Sequence, residues 1–363
     1  MALAAGVFGI TVLIGGLFFA TRPQGQSASV ASAQPPIAIG IVTALTGDFA
    51  FYGESTRAGV KLAEIDLQKE GLSVQFVFED AETSAEKAVS AAQKLINLDR
   101  VRGIYSEFNP PAIAISSLIK GSDILHVYDA APISPLKDNP LVYKSYIDYV
   151  EGCRETARYL KNSGVTSIGV LRANVEFGEL CEEGVKQVFG AGTVVEPYNL
   201  GTTDFRSALL KLSKARVGAI INASFPTEVM SALKQMRELD IAIPYATESD
   251  SISDDAIARE ASFLEGVVAF GLPPASEAFV SRLHSELPRE NAGFPPAAAL
   301  GYIHAKHMAH ALLACKEATC IRSSMDRSPA ESVIAFQGFK DHVAQFSMPI
   351  QVFRGGAFVE VGR

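Results

Sequence analysis

Between residues 37 and 270 the sequence alternates between short apolar runs and longer amphipathic runs, and this alternation is its strongest constraint on the fold. Apolar runs such as 37–43 and 101–105 predict buried strands, because they are rich in Ile and Val. Intervening segments such as 54–69 and 84–98 space their apolar residues as a helix does. Strands that alternate with helices predict a parallel sheet covered by helices on both faces.

The alternation occurs twice, which predicts two lobes of similar construction. The first series ends near residue 127, and a proline-rich irregular stretch separates it from a second series that begins at Val150. No internal sequence repeat accompanies the two series. Further helices are predicted at 276–286, 296–314 and 329–336. Two extended runs around Gly355 then predict a β-hairpin.

Composition and motifs exclude several classes of function. With 363 residues, of which 48% are hydrophobic, the chain can build two ordinary domains and bury a large core. Its net charge of −8 argues against a nucleic-acid-binding protein, which needs a basic face. The sequence carries no phosphate-binding loop, no Gly-x-Ser-x-Gly elbow and no paired-cysteine zinc motif. We therefore predict a protein that is not an enzyme and that binds no cofactor, no metal and no nucleic acid.

Residues 1–36 are predicted to be a signal peptide or membrane anchor with a linker. Residues 2–20 are apolar and uncharged, and Ala31-Ser32-Ala33 fits the small-x-small pattern of signal peptidase cleavage. The apolar run is nevertheless close in length to a membrane span, and no Lys or Arg precedes it. Export with cleavage after Ala33 and retention of an uncleaved anchor therefore both stay open. Either outcome places the body of the protein outside the cytoplasm.

Four cysteines suit an oxidising compartment outside the cytoplasm. Cys315 and Cys320 can close a small loop where a long predicted helix ends, and we expect a disulfide between them. Cys153 and Cys181 lie near the starts of two helices that flank one strand, so they can pair if those helices pack side by side. The alternative is four unpaired thiols.

Three histidines in the predicted helix 296–314 suggest a metal site at first sight. They are His304, His307 and His310. At 100° per residue the outer two lie about 120° apart around the helix, so the three side chains cannot converge on one ion. We therefore expect an ordinary helix face and no metal centre.

The stretch 37–59 delivers a polar and aromatic loop to the start of a helix, which is a common place to hold a small ligand. The loop reads Leu45-Thr46-Gly47-Asp48-Phe49-Ala50-Phe51-Tyr52-Gly53. It resembles the Leu-Thr/Ser-Gly-x-x-Ala-x-aromatic-Gly opening of the type I periplasmic solute-binding proteins, the group that includes the leucine/isoleucine/valine-binding protein. The similarity continues in blocks between residues 72 and 105, and it covers nearly all of the chain after residue 36.

The resemblance implies an α/β fold of two doubly wound parallel-sheet lobes joined by a three-segment hinge. It assigns 37–147 with 275–328 to the first lobe, and 148–272 with 329–363 to the second. Hinged lobes of this kind close on a ligand held between them. The implied protein is a monomeric substrate-binding protein that captures a small polar or amphipathic solute, amino acid or amide-like, and hands it to an ABC permease in the membrane.

The resemblance also implies ligand-binding residues, all in loops that follow predicted strands. They are Tyr52, Asn109, Ala130 and Ala131 in the first lobe, and Phe177, Phe225 and Glu248 or its neighbour Ser249 in the second. Tyr52 matches an aromatic residue that covers the ligand, and Glu248 matches an acidic residue that pairs with the ammonium group of the ligand. Asp129 is the first-lobe alternative for that pairing.

Several of these positions depart from the pattern of the family. The family has a Ser-Pro-x-Ala-Thr loop, and its Thr hydroxyl is absent from residues 128–132. Phenylalanine stands at 177 and 225, where the family has tyrosine. Because each lost charge-assisted hydrogen bond costs roughly 1.5–3 kcal/mol, we expect this site to hold an α-amino acid less well. Branched-chain amino acids are thus the default ligand of the family and not a conclusion from these residues.

Two other functions are compatible with the sequence. A membrane-tethered sensor or receptor could use the same lobes, with closure signalling to a partner and no transport. A hydrolase on the same lobes would need a nucleophile and a base side by side, and the sequence offers no such pair. Genes for two permeases and two ATPases beside this one would favour transport over sensing.

Overall fold

The structure, a computed structural model, describes residues 36–252, 254–290 and 292–361. The predicted signal peptide or anchor therefore lies outside the described residues. The first series of elements comprises β1 (Ile37–Thr43), α1 (Ala50–Lys69), β2 (Val74–Asp80), α2 (Ala85–Asn97), β3 (Gly103–Glu107), α3 (Asn109–Leu118), β4 (Leu125–Asp129) and β5 (Val142–Lys144). This is the alternation that the sequence predicts for the first half of the chain.

A second series follows the same alternation. It comprises α4 (Tyr149–Asn162), β6 (Ile168–Ala173), α5 (Glu176–Phe189), β7 (Thr193–Tyr198), α6 (Arg206–Lys214), β8 (Ala219–Ile221), α7 (Pro226–Glu238), β9 (Tyr245–Glu248), α8 (Asp254–Leu264) and β10 (Val268–Phe270). The remaining elements are α9 (Glu277–Glu286), α10 (Pro295–Ala314), α11 (Ala318–Asp326), β11 (Phe336–Lys340), β12 (Val343–Phe346), β13 (Ile350–Arg354) and β14 (Ala357–Val361).

These strands form two seven-stranded sheets of the same design. The strand orders are β11-β12-β5-β4-β3-β1-β2 and β14-β13-β10-β9-β8-β6-β7. The five strands of each series pair in parallel, and the C-terminal hairpins add antiparallel pairs at one edge. We call the parts of the chain built on the two sheets the first and second lobes. The predicted fold class, two doubly wound α/β lobes, is confirmed, with mixed instead of purely parallel sheets.

The C-terminal segment divides between the lobes in a way that the sequence does not predict. Assigning all of 329–363 to the second lobe is wrong for β11 and β12, because Val343 pairs in parallel with Lys144 at the edge of the first sheet. The chain returns to the second sheet only at β13, which pairs antiparallel with β10. The helix predicted at 329–336 is also absent, since Glu331 forms an isolated bridge with Phe336 instead.

Close packing of α1 against α10 fixes the position of the loop that opens the chain. A Cβ atom at Gly59 would overlap the carbonyl oxygen of Ala298, and a Cβ atom at Gly301 would lie 2.7 Å from the carbonyl oxygen of Thr56. Both glycines therefore allow the two helix backbones to approach each other closely. The first turn of α1 is held in this way at the carboxyl ends of β1 and β3.

Two disulfides tie helices together in the described part of the chain. Cys153 and Cys181 join α4 to α5 across a Cα–Cα distance of 5.2 Å, and both side chains are buried. Cys315 and Cys320 join the end of α10 to α11. The Cys153–Cys181 bond thus links α4 covalently to α5 within the second lobe. Among the described residues, no helix combines the length and the apolar character needed to cross a membrane.

Candidate functional site

The predicted site residues all lie at the carboxyl ends of parallel strands. They are Tyr52 and Asn109 at the starts of α1 and α3, Ala130 and Ala131 after β4, Phe177 and Phe225 at the starts of α5 and α7, and Glu248 at the end of β9. Loops in this position of an α/β sheet are where such folds bind ligands. We call the space between the strand ends of the two lobes the cleft.

A tyrosine–aspartate pair forms the first-lobe side of the cleft. The Tyr52 hydroxyl donates a hydrogen bond to Oδ2 of Asp129 at 2.7 Å. Asp129 is only 4% exposed, and its Oδ1 is buried and has no hydrogen-bond partner among the described residues. Burial, and to a smaller extent the charge of Asp250 in the second lobe, raises the pKa of Asp129 to about 7, although the Tyr52 hydrogen bond opposes the shift. The charge of Asp250 thus acts on Asp129 from the opposite lobe.

Aromatic rings surround the Tyr52 side chain. Its ring centroid lies 5.4 Å from that of Phe108 and 5.2 Å from that of Phe294. Phe108 has a φ of 69°, which is unusual for a large side chain, and its N–H donates to the carbonyl of Asp129 at 3.0 Å. Phe108 and Phe294 are missing from the sequence-based site, because they reach Tyr52 from separate loops. Together these rings give the first lobe an apolar wall.

A second carboxyl group, that of Glu107, lies beneath Tyr52 with no solvent exposure. It accepts hydrogen bonds from the hydroxyls of Thr43 and Thr56. Burial raises its pKa to about 8, and the neighbouring Asp129 adds to that shift. Burial therefore favours the protonated form of Glu107 at neutral pH.

Asn109 organises the loop after β4. Its Oδ1 accepts a hydrogen bond from the N–H of Ala131 at 3.1 Å. Ala130 and Ala131 are themselves nearly buried. The interaction is intramolecular in this structure, so the Ala131 amide and the Asn109 oxygen satisfy each other.

In the second lobe, two carboxylates and two tyrosines meet. The hydroxyls of Tyr146 and Tyr149 contact the two carboxylate oxygens of Glu248, and Tyr146 also lies 2.9 Å from Oδ2 of Asp250. Burial raises the pKa of both Glu248 and Asp250, and the charge of Asp250 adds to the shift at Glu248. The Tyr146 hydroxyl therefore holds the two acids side by side. Two adjacent buried acids favour a state in which one of them keeps its proton.

Both tyrosines come from the segment that crosses from β5 to α4. Sequence analysis did not assign these two tyrosines to the site, because the predicted site residues all came from loops that follow strands and not from the segment that crosses between the lobes. The hydroxyls of Tyr146 and Tyr149 contact the acidic residue Glu248 of the second lobe. Nearby, at 177 and 225, phenylalanine stands where the family has tyrosine. The signal available in the sequence was the pair of tyrosines three residues apart at the hinge.

Phe177 and Phe225 form the apolar side of the second lobe. Their rings meet edge to face with centroids 5.6 Å apart, and Phe177 also lies 5.7 Å from Tyr149. Phe177 is buried, whereas Phe225 is 43% exposed. An exposed ring at the start of α7, supported by a buried one, can cover a ligand when the lobes close.

Lys144, the last residue of β5, is fully buried beside these acids. Its Nζ donates to the carbonyl oxygen of Tyr146 at 2.8 Å and also to that of Ile147. Burial lowers its pKa to about 8, although Asp148 and Asp129 oppose that shift. The ammonium group therefore fastens the crossing segment to the first sheet.

The two lobes touch directly through Glu176 in the first turn of α5. Its carboxylate accepts hydrogen bonds from the N–H groups of Ile133 and Ser134, at 2.7 and 2.9 Å, and from the Ser134 hydroxyl at 2.6 Å. Residues 133–134 follow β4 in the first lobe. We call these three hydrogen bonds of Glu176, which link the second lobe to the first, the clasp.

Replacing Glu176 with alanine is expected to shift the ligand-free protein toward an open arrangement of the lobes. The variant loses three hydrogen bonds to a partly exposed carboxylate, for a combined cost of about 1–2 kcal/mol. Small-angle X-ray scattering of the ligand-free protein would show a larger radius of gyration. Glu179→Ala is the matched control, since Glu179 lies one turn later in α5 and is 69% exposed. An unchanged radius in Glu176→Ala would show that the clasp does not hold the lobes together.

The three histidines of α10 lie in different surroundings. His304 is fully buried and stacks against Tyr105 at 6.1 Å, while His310 bonds the carboxylate of Glu70 at 2.8 Å. His307 lies 3.7 Å from a carboxylate oxygen of Glu331. Within the described residues no group of three or more His, Cys, Asp or Glu side chains is arranged to hold a metal ion.

Open depressions elsewhere on the surface carry less weight than the cleft. One of about 660 Å³ lies along α5, and among its lining residues Arg172 and Glu182 form an ion pair at 2.9 Å. Another, of about 280 Å³, lies between α4 and the start of β13. Both are lined mainly by polar side chains, several of which form ion pairs with each other. Neither includes a strand-end residue of the predicted site.

Comparison with known proteins agrees with this architecture. A relative from Pseudomonas aeruginosa, the leucine-, isoleucine-, valine-, threonine- and alanine-binding protein, is 28% identical over 280 residues, which are 71% of this chain and 72% of the relative. A solved ABC-transporter solute-binding protein from R. palustris, in complex with 4-hydroxybenzoate, superposes with a TM-score of 0.76 at 17% identity and covers 90% of this chain and 95% of its own.

A second solved structure gives the same picture. The branched-chain amino acid transporter substrate-binding protein of Streptococcus pneumoniae, in complex with isoleucine, superposes with a TM-score of 0.74 at 15% identity and covers 89% of this chain and 97% of its own. The model of the periplasmic binding protein family matches residues 36–357. That match spans both lobes, the crossing segments and every residue of the cleft. The chain therefore belongs to the periplasmic binding protein family, whose members bind solutes outside the cytoplasm.

Proposed function

We propose that the chain is the substrate-binding protein of an ABC importer, which captures a small polar or amphipathic solute in the cleft and delivers it to a membrane permease. One observation carries the proposal. Polar groups that end strands in both lobes converge on one space, with Tyr52 and Asp129 on one side and Tyr146 and Glu248 on the other. A solute held by both sides favours the closed state, because only closure completes its contacts. We assign no reaction to this site.

The identity of the solute has to come from the residues of the cleft and not from the fold. The solved relatives named above hold isoleucine in one case and 4-hydroxybenzoate in the other. One architecture therefore accepts ligands of different charge and shape. Fold likeness narrows the class of protein and leaves the ligand open.

The cleft of this chain combines two apolar walls with a few polar groups. The rings of Tyr52, Phe108 and Phe294 line one side, and those of Phe177 and Phe225 line the other. Apolar walls with a small number of polar groups are the usual composition of a small-molecule site. In this arrangement the walls hold the body of the solute, and Glu248 pairs with a nitrogen of the solute.

The missing family hydroxyls have nearby substitutes. Phe177 and Phe225 cannot donate hydrogen bonds, but the Tyr146 and Tyr149 hydroxyls lie at the adjacent acid Glu248. The crossing segment thus supplies polarity that the strand-end loops lack. This rearrangement supports a solute different from the family's default.

A thermal-shift screen of the purified protein tests the proposed function. The panel contains amino acids, amides, urea, amines and short organic acids. A solute that binds only the native state stabilises it by RT ln(1 + [L]/Kd), where [L] is the concentration of free solute. The melting temperature therefore rises as the solute concentration increases beyond Kd. A parallel small-angle scattering measurement should show lobe closure with the same solute. Failure of every class of solute to shift the melting temperature would overturn the proposal.

With a binding solute in hand, Tyr52→Ala and Glu248→Gln are both expected to weaken its binding. Tyr52→Ala removes apolar contact area, which costs about 1.5–3 kcal/mol for a large side chain. Glu248→Gln removes a buried charged partner, which costs roughly 2–5 kcal/mol if the bound group is cationic. Isothermal titration calorimetry measures both.

Tyr159→Ala serves as the control for Tyr52→Ala, because Tyr159 lies in the last turn of α4, away from the strand ends. Wild-type affinity in both correctly folded cleft variants would place the site elsewhere. Loss of affinity in Tyr159→Ala as well would point to a general loss of structure.

A membrane-tethered sensor remains the second candidate, on the strength of the uncharged apolar run at residues 2–20. A sensor and a transport protein would close on a solute in the same way. They differ in partner: genes for two permeases and two ATPases beside this one favour transport, and a gene for a signalling protein favours sensing.

A further inference from the structure

We propose that the solute is an organic cation without a carboxylate group, such as an amine, an amidine or a guanidine. This inference rests on the proposed function and narrows it. Three observations carry it: an unpartnered acceptor in the first lobe, an acidic pair in the second, and an excess of negative charge around the buried lysine beside them.

The unpartnered acceptor is Oδ1 of Asp129. The residue is 4% exposed, its Oδ2 is engaged by the Tyr52 hydroxyl, and Oδ1 has no hydrogen-bond partner among the described residues. A buried carboxylate oxygen without a partner is costly, and binding of a donor relieves that cost. A ligand can supply the missing donor. A cationic N–H group is the strongest partner for this oxygen.

On the opposite side, the carboxyl groups of Glu248 and Asp250 lie side by side at the hydroxyls of Tyr146 and Tyr149. A cationic group bound between Asp129 and this pair favours the ionised form of the acids on both sides. The cleft therefore presents negative charge from both lobes. It suits a solute with a cationic nitrogen at one end, and a solute with nitrogen at both ends suits it equally.

Several donors that could hold a ligand carboxylate in the first lobe are already used or lacking. Pro110 and Pro111 occupy the first turn of α3 and have no N–H, so this helix start offers fewer donors to an anion than most. The Ala131 amide is bonded to Asn109. Lys144 is fully buried, and its Nζ is bonded to backbone carbonyls of the crossing segment.

The charges around Lys144 also oppose an anionic ligand. Asp148, Asp129, Glu248 and Glu176 all act on its ammonium group. One buried cation is thus surrounded by several carboxylates, and the balance of charge at the cleft is negative. A carboxylate entering this space would meet like charge from both lobes.

The aromatic walls fit the same class of solute. An organic cation gains additional attraction from the faces of Tyr and Phe rings. Tyr52 and Phe108 provide such faces beside Asp129, and Phe225 provides an exposed one across the cleft. The body of the solute can be aliphatic or aromatic, while its nitrogen meets the acids.

Matched pairs of probes test the inference by isothermal titration calorimetry on the full protein. The pairs are leucine with 3-methylbutylamine, benzoate with benzylamine, and 4-aminobutanoate with 1,4-diaminobutane. In each pair the first compound carries a carboxylate group. In the second compound that carboxylate is missing or is replaced by a group that bears an amine. We expect the amine to bind at least about 30-fold more tightly in one pair or more.

The amine that binds in this way should bind the Asp129→Asn variant at least about 30-fold more weakly than the unaltered protein. Asparagine keeps the shape of the aspartate side chain and loses its charge. Asp138→Asn is the matched control in the same lobe, since Asp138 is 69% exposed and pairs only with Lys120. It should leave affinity unchanged. If Asp129→Asn does not fold, the matched pairs of probes still decide the question with the unaltered protein.

Tighter binding of the carboxylate member in every pair overturns the inference and leaves the proposed function standing. Full affinity of the amine for a folded Asp129→Asn overturns it too. Failure of every amine, amidine and guanidine probe to bind also overturns it. The proposed function fails separately, and only if no solute of any class binds in the screen described above.

Discussion

Replacing Glu107 with glutamine is expected to stabilise the ligand-free protein at pH 8 and to leave its stability at pH 5 nearly unchanged. Glu107 is fully buried, and its pKa is raised to about 8, chiefly by burial. In the unfolded chain the same group has an ordinary pKa near 4.5. Between these values the folded protein holds a proton that the unfolded chain has released. The free energy of unfolding therefore falls as pH rises through this range.

Glutamine removes that dependence because it is neutral at every pH. The expected gain at pH 8 is about 2–5 kcal/mol. The hydrogen bonds can adjust, since the Thr56 hydroxyl also lies 3.4 Å from the carbonyl of Ala297 and can donate there while it accepts from the new amide. Urea unfolding at pH 5 and pH 8 measures the difference.

Glu183→Gln on the exposed surface of α5 is the control and should change stability little at either pH. An equal effect of Glu107→Gln at both pH values would show that the charge of Glu107 is not the cause. A loss of stability at pH 8 would show that the ionised form is the one that the fold requires.

Removing the Cys153–Cys181 disulfide is expected to lower the unfolding free energy of the second lobe by about 3–4 kcal/mol. The bond closes a loop with a sequence separation of 28, and the chain-entropy account of such a loop gives a value of that size. Both cysteines are buried between α4 and α5, so alanine at these positions also loses packing. The double variant Cys153→Ala with Cys181→Ala should unfold at lower urea concentration.

Cys315→Ala with Cys320→Ala is the matched comparison. Its loop has a sequence separation of only 5, so the same account gives a smaller loss of about 2 kcal/mol. Each lobe can unfold in its own transition, and the transition that moves identifies the lobe concerned. A larger loss from the shorter loop would contradict the entropic explanation.

Strand and helix periodicity was sufficient to predict the two lobes and the edge of the sheets where the cleft lies. Tyr52, Asn109 and Glu248 follow strands that the sequence identifies, and all three lie at carboxyl ends of parallel strands in the structure. This success has a physical basis, because side-chain period and βα alternation are local properties. They determine which end of each strand a loop occupies.

Side chains that join the site from other elements could not be predicted in that way. Phe294 reaches Tyr52 from the start of α10, and Tyr146 reaches Glu248 from a crossing segment. Both contacts depend on how distant elements pack. Asp129 was predicted as a possible counter-charge, but its burial, and the lack of a partner for its Oδ1 among the described residues, could be known only from the structure.

The hairpin of β11 and β12 was not predicted, and the assignment of its residues to the second lobe was wrong for a similar reason. β11 and β12 have the alternation and turn residues of a hairpin for either lobe, and the sequence offers no mark of which sheet edge they meet. The choice is made by tertiary packing: the ring of Phe336 packs against Phe346 and against His304 of α10 in the first lobe. Hairpin formation is a local property, whereas docking of the hairpin is not.

Completion of both sheets by C-terminal strands has a consequence for biogenesis. β5 stays an open edge until β12 arrives, and β10 stays open until β13 arrives, although each precedes its partner by a long stretch of chain. A chain that leaves the cytoplasm with its N-terminus first can therefore close neither lobe until residues 336–354 have also emerged. Open strand edges invite pairing between chains, so folding late, after export, limits the time for which these edges coexist with a folded lobe.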